Sequence, residues 1–298
     1  MKKTLILLLA LLMGLSGCGR TVVPAQIAAT TLPVYEFTAR LCEGTPLSVT
    51  RLVTEEVSCL HDYSLNVKQV KASEAAEVIV ISGAGLEEFL DDILLDTQII
   101  DASSGIELIV PEEHHHNHDH EEESEHSHEG HHHEFDPHIW LSPVNAMLMA
   151  ENICRELSAQ YPAHAGRFSE NLELLLAELN NLQEYGTDSL STLSCREIIT
   201  FHDGFAYLAN AFDLTILETI EEESGSEASA KELIHMIEEV EHHQLPAIFT
   251  EKSGSVSAAG IISRETGTKE FTLDMVMAGD SYFEAMYHNI DTLKEALQ

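Results

Sequence analysis

From residue 26 onward, short apolar runs alternate with longer stretches whose apolar positions recur every three or four residues. The runs 26–31, 48–53, 77–82 and 107–110 read as strands, the third (EVIVIS) being rich in branched residues. Between them, Val34, Phe37 and Leu41 carry a helical spacing, and 67–76 reads as a helix. Ser142-Pro143 has the form of a helix N-cap followed by proline at the first helical position, predicting a helix to about Gln160. A longer helix follows over 163–185, with Phe168, Leu172, Leu175, Leu179 and Leu182 on one buried stripe. The strand pattern restarts at 197–201, 215–218 and 247–250. Ser229-x-x-Glu232 is a capping box that opens a helix to about Glu241, 268–273 reads as a last strand, and 282–297 as a last helix.

Strands alternating with helices predict parallel α/β layers. The simplest arrangement is two α/β halves, residues 25–160 and 189–298, joined by a long helix within 161–188. One stretch breaks the pattern. Residues 112–134 consist almost entirely of His, Glu, Asp, Ser, Asn and Gly, and nothing there can bury a core, so they read as a disordered loop.

The N-terminus carries a different signal. Lys2 and Lys3 precede an apolar run over 4–15 that is too short to cross a bilayer comfortably, and Leu15-Ser16-Gly17-Cys18 follows. This reads as a secretory signal over 1–17, with a short polar tether over 18–24. A cysteine directly after Leu-Ser-Gly resembles the lipobox of bacterial lipoproteins, which implies lipidation of Cys18, an anchor in the membrane and an extracytoplasmic location. Export permits disulfides, and four other cysteines remain: Cys42, Cys59, Cys154 and Cys195. A Cys42–Cys59 bridge is expected, because those two residues flank the strand that leads to His61. The 51 acidic residues against 15 basic give a formal charge of -36, which repels phosphate backbones and argues against a nucleic-acid partner.

Outside the polar loop, three histidines and one acid stand at informative places. His202 ends the strand 197–201, His138 ends the stretch Phe135-Asp136-Pro137, His61 follows the strand 48–53, and Asp274 ends the strand 268–273. Ligands of open α/β sheets bind outside the carboxyl ends of strands, so these four side chains can converge on one crevice between the halves. Three imidazoles and a carboxylate suit tetrahedral zinc, whereas manganese prefers more oxygen. The remaining histidines outside the loop, His164, His235, His242, His243 and His288, read as solvated structural residues.

Four segments carry a family likeness: Leu60-His61-Asp62-Tyr63, the run DPHIWLSP over 136–143, the run FHDGFAY over 201–207, and Leu273-Asp274. Through them the chain resembles the cluster A-I solute-binding proteins of ABC transporters, the zinc and manganese binders. The resemblance implies two Rossmann-like lobes joined by a rigid long helix, with a metal site in the cleft between them. It also implies that His61, His138 and His202 are metal ligands and Asp274 the carboxylate ligand. The manganese branch has Glu where this chain has His202, and a His-rich loop before DPHIW marks the zinc branch. The family implies a monomeric receptor that hands Zn2+ to the transmembrane subunit of an ABC permease. The ten loop histidines, His114, His115, His116, His118, His120, His126, His128, His131, His132 and His133, would form auxiliary, weaker metal sites.

Other readings remain open at this point: a receptor for manganese or another divalent metal, and a surface metal buffer or adhesin. A zinc hydrolase is disfavoured by the absence of an HExxH motif.

Overall fold

The computed structural model describes residues 25–57, 60, 63–90, 97–110, 135–220, 228–252 and 257–298. Cys18, Cys59, His61 and the ten loop histidines fall outside the described residues.

The N-terminal half begins with β1 (Ile27–Ala29), three fully buried residues. The chain turns at Thr30-Thr31 into α1 (Leu32–Leu41), which has proline in its first turn and buries Val34, Phe37 and Leu41. Then come β2 (Val49–Arg51), α2 (Val67–Ala75) and β3 (Val78–Ile81). The α2 start is fixed by a capping box, in which Asn66 accepts from the N–H groups of Lys68 and Gln69 and the Gln69 side chain accepts from the N–H of Asn66. β4 (Gln98–Asp101) completes a parallel sheet of order β2-β1-β3-β4. This last strand is absent from the sequence reading, and the run 107–110 read as a strand is not one. Its backbone is satisfied elsewhere, the Ile109 N–H donating to the Tyr207 hydroxyl at 2.9 Å and the Asp136 N–H to the Ile109 carbonyl at 2.8 Å.

Two helices lead to the second half. α3 (Pro143–Gln160) starts where the Ser142 hydroxyl accepts from the Asn145 N–H. After a tight turn at Pro162–His164, α4 runs over Ala165–Leu190, about 39 Å at the helical rise. Its buried stripe of Phe168, Leu175, Leu179, Leu182, Gly186 and Leu190 follows the helical repeat. Asn171 donates to the carbonyls of Leu41 and Glu43 in the first half, and the Tyr185 hydroxyl meets Asp291 in the second, so one helix grips both.

The second half repeats the scheme. β5 (Glu197–Thr200), α5 (Ala206–Ala211), β6 (Thr215–Thr219), α6 (Ala230–His243), β7 (Ala247–Glu251), α7 (Ser257–Thr266), β8 (Lys269–Leu273) and α8 (Tyr282–Leu297) follow in order. The sheet is again all parallel, with order β6-β5-β7-β8. The Ser229/Glu232 capping box read from the sequence is present at the start of α6. Among the described residues, no helix is long and apolar enough to cross a membrane.

One apolar core runs through both halves, from Ile27 and Val78 to Phe249 and Leu273. The seam between them is built on Trp140 and Tyr282, both fully buried. The Trp140 indole donates to the Met275 carbonyl at 2.8 Å, and the Tyr282 hydroxyl donates to the Trp140 carbonyl at 2.8 Å.

The expected Cys42–Cys59 bridge is corrected here, because Cys42 is a free, buried thiol. It is the C-cap residue of α1. Burial pushes its pKa up to about 12. Cys154 and Cys195 are also free.

At the carboxyl edge of the first sheet, where the order switches between β1 and β3, lies a buried carboxylate. Glu87 accepts from the Thr30 hydroxyl at 2.7 Å and from the N–H groups of Ser82 and Gly83 at 2.8 and 3.0 Å. Burial nevertheless raises its pKa to about 7. The folded state then holds the proton more tightly than the unfolded chain. The stabilisation is complete below the ordinary carboxylate range and is lost as pH rises from there through about 7. Urea unfolding of the metal-free protein is therefore expected to show stability falling between about pH 5 and pH 7.5 relative to a Glu87→Gln variant, by on the order of 3 kcal/mol. Parallel pH profiles of the two proteins would show that Glu87 titrates normally.

Candidate metal centre

The four candidate ligands reach their positions by different local means. The stretch before His138 is not a strand. Asp136 and Pro137 lead irregularly into a 3-10 turn, Ile139–Leu141, for which His138 is the N-cap. The turn is fixed because Ile139, Trp140 and Leu141 are all fully buried. His138 is 1% exposed and Asp136 5%. One carboxylate oxygen of Asp136 accepts both the His138 backbone N–H at 2.9 Å and the ring Nδ1 at 2.8 Å. This selects the tautomer with the proton on Nδ1 and leaves a lone pair on Nε2, a buried atom with no hydrogen-bond partner. A carboxylate behind a histidine is the usual support for a metal-ligating imidazole.

His202 follows β5 in an extended conformation and N-caps the short turn Asp203–Phe205 that starts α5. Its ring lies 5.4 Å from that of His138, centroid to centroid, at 81°. Gly204 permits this approach: a Cβ there would lie 2.7 Å from His138 Nδ1 and 2.4 Å from the Met275 methyl. The sequence FHDGF thus places the histidine and removes the obstacle beside its partner.

Asp274 ends β8. Its Oδ1 accepts the Val276 N–H at 2.7 Å, and its backbone is clamped by Asn289, which accepts from the Asp274 N–H and donates to the Asp274 carbonyl. Its Oδ2 faces Lys252 Nζ at 3.4 Å, and Lys252 also donates to Glu56 at 3.1 Å. Glu251, at the end of β7, is a carboxylate that sequence reasoning missed. It is 7% exposed, and its Oε2 lies 3.9 Å from His202 Nδ1. Glu251, Lys252 and Asp274 line one small pocket, together with Glu56 and Met275.

The structure therefore brings His138 and His202 together at the edge where the two halves meet, and sets Asp274 against Lys252. Of the fourth candidate, only the flanks are described. Leu60 is buried, and the Tyr63 hydroxyl is held by Glu55 and Gln69. Asp136 was present in the quoted DPHIW motif, yet its role behind the histidine is a matter of geometry. Glu251 had one legible signal, its place at the carboxyl end of a strand, as for Asp274.

Known proteins resemble this chain in sequence and fold. The chain is 31% identical over 282 residues to a zinc-binding lipoprotein, AdcA, of Streptococcus pneumoniae, covering 91% of this chain and 55% of the relative. It spans about half the length of the curated relatives it matches first. Among solved structures, it resembles a crystal structure of ZnuA with a TM-score of 0.76 and 26% identity, over 92% of this chain and 100% of the other. It also resembles Zn(II)-bound AdcA from Streptococcus pneumoniae, with a TM-score of 0.73 and 28% identity, over 91% of this chain and 57% of that one. A family model described as ZnuA, the periplasmic component A of a zinc-uptake complex, matches residues 27–296. With that match spanning nearly all of the chain, the protein belongs to the ZnuA family of zinc-uptake components.

Proposed function

We propose that this protein is an extracytoplasmic receptor that binds Zn2+ in the cleft through His61, His138, His202 and Asp274 and delivers it to an ABC permease. The observation that carries the reading is the pair His138 and His202. One ring is oriented by Asp136 with its Nε2 buried and unpartnered, and the other lies edge-on to it, 5.4 Å away between ring centroids. Neutral imidazoles at such a separation suit zinc, and the chemistry requires no general base because no bond of the cargo changes. Lys252 holds Asp274 by a partly exposed ion pair of modest strength, which an incoming dication displaces. Glu251 beside His202 supplies further negative charge. The family membership supports a solute-binding rather than an enzymatic role.

The remaining parts of the reading rest on sequence. Cys18 would carry the lipid anchor, residues 1–17 the export signal, and the protein would act as a monomer. The halves 25–160 and 189–298, with the connecting segment 161–188, would serve as the two lobes. The histidines over 112–134 would collect zinc weakly, as auxiliary sites. A zinc-bound ZnuA deletion mutant lacking 138–173 in its own numbering is among the similar structures, with a TM-score of 0.74 and 26% identity.

Three results are expected. His202→Glu replaces a borderline nitrogen donor with a hard oxygen, so chelator competition should show zinc affinity reduced at least about tenfold and manganese relatively favoured. Unchanged zinc affinity would remove His202 from the ligand set. Deleting 112–134 should leave the tight cleft zinc intact and remove only weaker binding, as read by calorimetry. Loss of the tight site would mean that the loop supplies a primary ligand. Finally, cells whose only copy carries His138→Ala and His202→Ala should lose radiolabelled zinc uptake at limiting zinc. A surface buffer without a permease would leave the uptake rate unchanged.

A further inference from the structure

A second group of metal-ligating side chains stands at the opposite edge of the C-terminal sheet. Glu239, His242 and His243 occupy the last turns of α6, at spacings of three and four residues that place the glutamate between the two imidazoles. One potential ligand atom from each lies within 4.8 Å of the others. The sequence reading took these histidines as solvated structural residues, and in the structure His243 is only partly exposed. Its Nδ1 lies 2.9 Å from Glu197 Oε2, and its Nε2 lies 3.6 Å from Glu239 Oε2.

The two contacts of His243 divide its nitrogens by role. The short one assigns the proton to Nδ1, with Glu197 as acceptor, and so leaves the Nε2 lone pair directed at the Glu239 carboxylate. A carboxylate behind the imidazole is the relation already seen between Asp136 and His138. The 3.6 Å between Nε2 and Oε2 is close to the separation of two ligand atoms on a tetrahedral zinc, about 3.4 Å for bonds of 2.0–2.1 Å. The His242 ring, 4.9 Å from that of His243, is exposed and free to rotate toward the same point. The helix C-terminus adds its own preference for a cation through the negative end of the helix dipole.

We infer that Glu239, His242 and His243 form a second binding site for a borderline divalent cation, zinc foremost, with Glu197 orienting His243. Two imidazoles and one carboxylate hold the ion, and water completes the shell. The site is separate from the cleft. Glu197 opens β5 at its amino end, and His202 lies beyond its carboxyl end, roughly 16 Å away at the rise of a strand. Binding here ties the end of α6 to the start of β5. The inference needs neither the cleft ligands nor transport.

The test is a zinc titration of the full mature chain, followed by two-bond proton–nitrogen NMR spectra of its histidine rings. His288, an exposed imidazole on α8 with no such neighbours assigned, is the internal reference. The resonances of His242 and His243 should move together, with a common midpoint at a zinc concentration at least about tenfold below that for His288. In Glu239→Gln and in His243→Gln, the His242 midpoint should rise to that of His288. His138 resonances unchanged from the wild type at each zinc concentration would confirm that both variants are folded. A wild-type His242 midpoint equal to that of His288, or one unaffected by either substitution in folded protein, would overturn the site.

Discussion

The geometry of the cleft depends on one buried side chain, the indole of Trp140. It sits in the segment from the first half and hydrogen-bonds a carbonyl of the second, while Tyr282 of the second half donates back to the Trp140 carbonyl. Full burial of an aromatic side chain is worth roughly 2–3 kcal/mol, and neither polar atom is left unpaired. His138 is two residues from Trp140 and packs edge-on against it, with ring centroids 5.4 Å apart. What fixes the seam therefore also fixes the imidazole. The Asp136 carboxylate then sets the ring's rotation and tautomer, and Gly204 sets how closely the second half approaches it.

Around that seam, the two sheets play equivalent parts. Each is parallel, and each carries its polar groups at the carboxyl edge near a switch in strand order. The edges differ in content. The first sheet keeps Thr30, Thr31, Ser82 and Glu87 in a closed hydrogen-bonded group that ties the ends of β1 and β3. The second presents His202, Glu251 and Asp274 to the junction. The first edge closes on itself, the second leaves its side chains facing the junction, and the long α4 packs on both halves.

Much of this was legible in the sequence because local and tertiary preferences agree. The capping box at Ser229, the Ser142-Pro143 start of α3, and the final helix at Tyr282–Leu297 all formed as read. The stripe on α4 was correct, although the helix extends to Leu190. The failures have physical reasons. Residues 107–110 are as apolar as a strand, yet their partners are the Tyr207 hydroxyl and the Asp136 backbone rather than a ladder. β4 has only one buried residue, Ile100, so no alternating signal marks it. α7 is rich in small residues and contains Gly260, which weakens its helical pattern. In the site, His202 and Asp274 were legible as residues at strand ends. The support from Asp136 and the presence of Glu251 depend on how distant segments meet. Glu87 and Glu88 are indistinguishable in the sequence, and only the fold buries one of them.

The free thiol of Cys42 has a consequence for the order of events in making the protein. Burial raises the pKa of this thiol to about 12 and so disfavours the thiolate, which is the species that attacks disulfides. Once α1 has packed, the sulfur is both shielded and chemically silent. Before that, it is an ordinary cysteine on an unfolded chain. In an oxidising compartment, wrong pairing through this one sulfur is therefore confined to the interval before the first half closes.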